Sequence, residues 1–120
     1  MRNLYNSFSI AGHEIAVHTI SHRTPSIWWK TATYDELYDE IVGMKKRLEE
    51  NGIRNVVGYR NPFLQTAGDT TFRVLKENGF LYDSSLPARL NKFWWPYSMD
   101  NGGPDPDDCV IKPCPTSEYY

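Results

Sequence analysis

Short apolar runs alternate with longer stretches of helical period through the first two-thirds of this chain, and that alternation limits the folds open to it. His13 to Thr19 carries Ile15, Ala16 and Val17 in succession, which predicts a buried strand. A helix is predicted to begin at Tyr34. Thr33 suits the N-cap and Glu36 stands at the third helical position, so the two form a capping box. Leu37, Ile41, Met44 and Leu48 then recur on one face, and Asn51-Gly52 supplies a left-handed stop. Ile53 to Tyr59 reads as a second strand. Thr66 with Asp69 marks a second helix start, Phe72 and Leu75 give its apolar face, and Asn78-Gly79 ends it. Phe80 to Asp83 reads as a third, short strand. Arg23 to Thr33 is expected to be a loop. Beyond Ser84, six prolines mark an irregular tail.

Strand, helix, strand, helix, strand is the order of parallel βαβ units, so the expected class is α/β. In such folds, sites gather at the carboxyl ends of the strands. His18, Arg60 and Asp83 fall there, one at the end of each predicted strand. Three strands do not close a barrel, and an open three-strand sheet leaves both edges unpaired. The chain therefore reads as an arc of something larger.

The run GHEIAVHTISH, Gly12 to His22, places His18 and His22 four positions apart. Imidazole is the commonest protein ligand for zinc and similar metals. Two histidines do not complete a site, since structural zinc takes four protein ligands and catalytic zinc three plus a water. A surface histidine beside one that caps a strand satisfies the spacing equally. His13, at the strand's entry, lies opposite the expected site face and reads as structural.

Composition excludes several partners. A formal charge of −2 and a pI near 5.9 leave no basic footprint, so nucleic acid is not expected. No apolar run approaches the roughly 20 residues that span a bilayer, and no membrane partner is expected. Met1 to Ile10 lacks the charged start and apolar block of a signal peptide. The 14% aromatic content suits a core and equally a surface on which sugar rings stack. Trp28-Trp29 fits either use. Cys109 and Cys114, in DCVIKPCP, read first as a disulfide across a short loop, which implies an oxidising compartment; two reduced thiols are the alternative. Asp105, Asp107 and Asp108, set among prolines, read as a solvated turn rather than a calcium site. Glu36, Asp39, Glu40, Glu49 and Glu50 read as an ordinary charged helix face.

Four blocks occur in order: GHEIAVHTISHRTP, GYRNPFLQTAGDTTFRVLKENGFLYDSSL, WWPYSMD and CPTSEYY. Together they resemble the polysaccharide deacetylases of carbohydrate esterase family four, the NodB-homology domain, and most of all the chitin deacetylase-like proteins of invertebrates. The resemblance runs from Leu4 onward. It implies a distorted (β/α) barrel, of which this chain supplies a partial, incomplete βαβαβ arc with a loop-rich tail. It also implies removal of N-acetyl groups from chitin or a related N-acetylglucosamine polymer, with a Zn2+ or similar divalent cofactor, outside the cell.

By that resemblance, His18-Thr19-Ile20-Ser21-His22 is the metal motif, with His18 and His22 as ligands. Arg60-Asn61-Pro62-Phe63 matches the next motif. Its arginine orients the base, and the backbone N–H of its aromatic residue, Phe63, serves the oxyanion. Asp83, with Trp94 or Trp95, matches a motif that supports the catalytic acid and walls the groove, and Tyr97 extends that wall.

Two family motifs have no counterpart. One, upstream of the His motif, supplies the base and a third ligand, yet Met1 to Ala11 holds no aspartate. The other supplies the general acid, yet no histidine follows His22. The expectation is that residues 1–120 are a piece of a single such domain, lacking its first strand and its C-terminal strands, and inactive alone. A non-catalytic chitin-binding or matrix protein of the same fold is the alternative. A small intracellular metal-binding α/β domain, with its two thiols reduced, is a third reading.

Overall fold

In a computed structural model the structure is described for residues 4–92, 95 and 109–116. Four α-helices, a 3-10 turn and a small parallel sheet make up the described fold. They are α1 (Leu4–Ile10), α2 (Ile27–Thr31), α3 (Tyr34–Glu50), β1 (Gly58–Tyr59), the 3-10 turn Pro62–Leu64, α4 (Asp69–Glu77) and β2 (Tyr82–Asp83).

The predicted boundaries of α3 hold. Thr33 accepts from the Glu36 N–H while the Glu36 carboxylate accepts from the Thr33 N–H, closing the capping box. Asn51 caps the other end and Gly52 follows at φ 87°. Leu37, Ile41 and Leu48 are buried, with Met44 half-buried beside them. The start of α4 differs from expectation. Gly68, at φ 59°, is its N-cap, and the Thr66 hydroxyl instead accepts from the Gly68 N–H. Asn78 and Gly79 stop it as predicted, Gly79 at φ 76°. The loop between Arg23 and Thr33 holds one feature the sequence did not announce, the single turn α2. It buries Trp29 completely, with its indole N–H donating to the Arg23 carbonyl.

The strands are shorter than the apolar runs that predicted them. The first run contributes one parallel bridge, Val17 to Tyr59, rather than a strand. The second pairs only over Gly58 and Tyr59. Asn55, at φ 59°, breaks the extended backbone just before, although Ile53 and Val56 stay buried. β2 pairs with β1 in parallel, Gly58 opposite Tyr82 and Tyr59 opposite Asp83. Leu81 donates to the Val57 carbonyl and Ser84 to the Tyr59 carbonyl. Val17, Tyr59 and Asp83 thus share one row across three adjacent lines of chain. This is the expected order and sense of an α/β arc, and no closed barrel is formed among the described residues.

The core lies beneath this row. Val17, Tyr59 and Val56 meet Trp29, Leu37 and Ile41, and α3 packs on α4. The two helices are also tied by the Tyr34 hydroxyl donating to Glu77 at 2.6 Å and by Lys45 donating to the Asn78 carbonyl at 3.2 Å. Cys109 and Cys114 are joined in a disulfide, as the first reading of their spacing held. The short segment around it docks on the start of α4, where Asp69 accepts from the Thr116 N–H and hydroxyl, and Gln65 donates to the Lys112 carbonyl.

Candidate functional site at the carboxyl edge of the sheet

Each strand line ends in a polar residue. His18 follows Val17, Arg60 follows Tyr59, and Asp83 closes β2. The first two are joined directly: His18 Nδ1 lies 2.8 Å from the Arg60 carbonyl oxygen. A carbonyl oxygen only accepts, so Nδ1 carries a proton, and in the neutral ring Nε2 keeps its lone pair. Neutral imidazole with one nitrogen held by a carbonyl and the other open is the form that binds a metal.

His22 comes back to the same place. Its ring meets the His18 ring edge-on at 4.9 Å between centroids and the Phe63 ring at 4.8 Å. The backbone accepts unfavourable geometry to do this. Thr19 and His22 sit at φ 66° and 45°, and Phe63 and Leu64 at φ 57° and 55°. Left-handed backbone is costly for residues with a Cβ, above all a β-branched threonine, and persists only where surrounding contacts fix it. Four of the five non-glycine residues with positive φ among the described residues belong to these two turns.

The Arg60 side chain is held on Ser84. Its guanidinium donates from Nε to the Ser84 carbonyl at 3.0 Å and from Nη2 to the Ser84 hydroxyl at 2.7 Å. The next residue, Asn61, is wholly buried and organises the turn. Its N–H donates to the Ser85 hydroxyl, its amide NH2 to the Gln65 and Pro62 carbonyls, and its oxygen accepts from the buried Tyr59 hydroxyl at 2.6 Å. The first N–H groups of a helical turn find no acceptor within it. At Pro62–Leu64 that group is the Phe63 N–H, on the residue whose ring meets His22.

Asp83 is half-buried, and its two oxygens accept from the Ser85 N–H at 2.9 Å and the Ser85 hydroxyl at 2.5 Å. Desolvation holds its carboxyl above the ordinary carboxylate range, against the opposing pull of the Ser85 bonds and the Arg60 charge. Burial holds the Tyr59 phenol well above its usual range, with the Asp83 and Glu40 carboxylates adding to the effect.

His18, His22 and Phe63 are thus brought together. Arg60 touches His18 through its carbonyl, and Asp83 is hydrogen-bonded to the turn through Ser85. Trp95 is almost fully exposed, while Trp94 and Tyr97 lie outside the described residues, as do Asp105, Asp107 and Asp108. Trp28 meets Trp29 edge-on at 4.7 Å beneath the Arg23 guanidinium, a local packing cluster. The exposed His13 ring meets Phe8 edge-on at 5.5 Å.

Glu40 departs from the sequence reading. It is buried, not part of a solvated face, and accepts from the Ile20 and Ser21 N–H groups and the Ser21 hydroxyl. Its place three residues after Leu37 and four before Met44, inside the apolar stripe, is the signal that could have revealed it. Asn61 and Ser85 carried no comparable signal.

The imidazole pair suits two positions of a metal's coordination shell. Among the described residues no third His, Cys, Asp or Glu side chain converges on it. The buried Thr19 hydroxyl, next to His18, has no hydrogen-bond partner among the described residues. An orphaned buried hydroxyl beside an incomplete ligand pair is consistent with a site finished by further groups.

Imidazoles, a cation and a strained turn thus gather at the carboxyl edge of a parallel sheet, the general plan of α/β proteins that bind small polar groups there. The chain belongs to the polysaccharide deacetylase family, whose profile matches residues 2–82. It is 40% identical over 119 residues to chitin deacetylase 8 of Bombyx mori, covering 95% of this chain and 31% of that protein. It is 38% identical over 112 residues to chitin deacetylase 1 of the same organism, covering 90% of this chain and 21% of that protein. The chain therefore spans less than a third of the length of either relative.

Proposed function

We propose that this chain is the metal-binding and oxyanion-facing part of a secreted chitin deacetylase, acting on chitin or a related N-acetylglucosamine polymer. In that reaction water adds to the acetamide carbonyl and the C–N bond breaks, giving acetate and a free amine. The observation that carries the reading is the His18–Arg60 lock. One hydrogen bond fixes the tautomer of the first imidazole and ties it to the turn that presents the Phe63 N–H.

A zinc ion or another divalent transition metal, held in part by His18 and His22, would polarise the carbonyl and acidify the attacking water. This chain's own residues do the rest of what can be assigned. The Phe63 N–H faces the oxygen on which negative charge collects. Arg60, with two of its five donors spent on Ser84, supplies a fixed positive charge that orients a carboxylate base. Asp83 holds the turn through Ser85. Trp94, Trp95 and Tyr97 are proposed to wall the sugar groove by stacking. The Cys109–Cys114 disulfide supports an extracellular setting. No helix among the described residues is long and apolar enough to cross a membrane.

The test is zinc titration calorimetry of the 120-residue chain beside His18→Ala and His22→Ala. Each substitution is expected to remove most of the binding. A double variant that binds zinc as the parent does would place the site elsewhere. The same chain is expected to release no acetate from chitin oligomers, because no residue matches the family's base or general acid and groups that act as a unit are lost together. Acetate release at enzymatic rates, abolished by a chelator, would mean that other residues supply those groups.

A further inference from the structure

We propose that Glu40, on α3, is a positioning residue for the imidazole pair: it braces the Ile20–Ser21 turn and so sets where His22 stands relative to His18. The inference rests on the proposed role of those histidines as ligands. Glu40 is buried, and its carboxylate accepts three hydrogen bonds from two consecutive residues of the turn. Oε2 takes the Ile20 N–H at 3.0 Å and the Ser21 N–H at 2.9 Å, and Oε1 takes the Ser21 hydroxyl at 2.6 Å. The Arg23 guanidinium, half-exposed, approaches the same Oε1 at 3.8 Å.

These contacts fall on two of the three residues between His18 and His22. Thr19 before them and His22 after them have left-handed backbone, so something outside the turn must hold its amides in line. Two adjacent N–H groups aimed at one carboxylate oxygen do so. The helix surface is shaped for the turn as well. One turn beyond Glu40, Gly43 lies under the Ile20 side chain, and a Cβ there would sit 3.0 Å from the Ile20 terminal methyl. α3 therefore meets the turn with an acceptor for its backbone and a gap for its side chain. The capping box anchors the start of the same helix, so the brace is mounted on a well-fixed element.

Hydrogen bonding, rather than charge, is the working part. A glutamine can keep its oxygen on the two N–H groups and offer its NH2 to the Ser21 hydroxyl, which can turn to accept. Alanine removes every bond. Glu40→Ala and Glu40→Gln should therefore differ, and neither alters an atom of the ligands themselves.

The experiment uses the 120-residue chain and two readouts. The first is the proton–proton Overhauser contact between the His18 and His22 rings, measured without metal. The second is zinc affinity by calorimetry. Glu40→Ala is expected to lose the ring contact and to weaken zinc binding about 10-fold or more, the usual cost of removing an outer partner of a metal site. Glu40→Gln is expected to keep the contact and to stay within about threefold of the parent, well inside that outer-partner cost. Ser21→Ala, which removes one bond of the three, is expected to fall between them, and it carries the test if Glu40→Ala does not fold. Thr33→Ala, which loosens the start of α3 without touching the turn, is expected to lower stability and leave both readouts unchanged.

A folded Glu40→Ala with parental ring contact and zinc affinity overturns the proposal. So does a Glu40→Gln as damaged as Glu40→Ala, since hydrogen bonding would then not be the cause. If the parent shows the ring contact, Glu40→Ala loses it and neither binds zinc, the brace stands and the ligand reading fails.

Discussion

Replacing Asn61 by alanine should destabilise this chain far more than its small side chain suggests. The amide is wholly buried and serves three neighbours. Its oxygen is the acceptor of the Tyr59 hydroxyl, itself on a side chain only 1% exposed, and its NH2 donates to the Gln65 and Pro62 carbonyls. A buried group left without a partner costs about 1–3 kcal/mol. The Tyr59 hydroxyl is the more deeply buried of the two and is assigned about 2 kcal/mol of that range. The Gln65 carbonyl lies nearer the surface and is assigned about 1 kcal/mol. The sum of about 3 kcal/mol moves a urea midpoint by roughly 1.5 M, with a slope near 2 kcal/mol per molar. The cause can be isolated by a cycle. Tyr59→Phe removes the hydroxyl and should cost about 1 kcal/mol alone. In the Tyr59→Phe background, Asn61→Ala no longer strands that hydroxyl, so its cost should fall by about 1–2 kcal/mol. Urea unfolding of the four proteins measures this directly. Strict additivity would refute the claim that the two side chains form one buried unit.

Tyr59 also sets an alkaline limit. Its phenol is held above the ordinary 10.0, first by burial, so the folded state keeps a proton that the unfolded chain gives up. The stability this contributes is whole below about pH 10 and is lost as pH rises toward the folded-state value. Unfolding scans above pH 9 should steepen in the parent and flatten in Tyr59→Phe; identical profiles would count against it. Reducing the Cys109–Cys114 disulfide should cost at most about 2 kcal/mol, given the short loop it closes. Hydrogen exchange should then rise at Thr116, whose N–H is held by Asp69, while the amides of α3 stay protected.

What the sequence made legible follows from which forces act locally. The bounds of α3 could be read because its cap, its apolar stripe and its glycine stop all lie within a few residues of one another. The gathering of His18 and Arg60 could be read because strand order in a βαβ arrangement fixes which ends share an edge. The truncation of the strands could not. It depends on single backbone conformations, such as left-handed Asn55, that no apolar pattern signals. Glu40 was misread for a related reason. A carboxylate on a helix is normally solvated, and the two amides and the hydroxyl presented from another part of the chain make its burial stable. Asn61 lay inside the very motif that drew attention to Arg60 and Phe63, yet its role depends on Tyr59 and Ser85, which act through contacts rather than sequence pattern.

Asp83 and Ser85 form the last link to that turn, and their costs should rank in an order that the sequence does not suggest. Ser85 is wholly buried; its hydroxyl accepts from the Asn61 N–H at 2.8 Å while donating to Asp83 at 2.5 Å. Ser85→Ala strands a buried N–H and one carboxylate oxygen, a loss of about 2–3 kcal/mol. Asp83→Asn keeps an oxygen for the Ser85 N–H and forfeits one bond, about 1 kcal/mol. Some of that loss is returned, because desolvation raises the Asp83 carboxyl above 3.8 and the ionised group is therefore disfavoured in the fold. The sign follows: the stability linked to this group is whole below pH 3.8 and is lost as pH rises through the folded-state value. Asp83→Asn should therefore be nearly as stable as the parent at neutral pH and should lack that acid-range slope, while Ser85→Ala should be clearly weaker. Chemical unfolding at pH 3, 5 and 7 separates the two. The reverse ranking would show that the carboxylate itself, rather than the serine between it and Asn61, anchors the turn that carries Phe63.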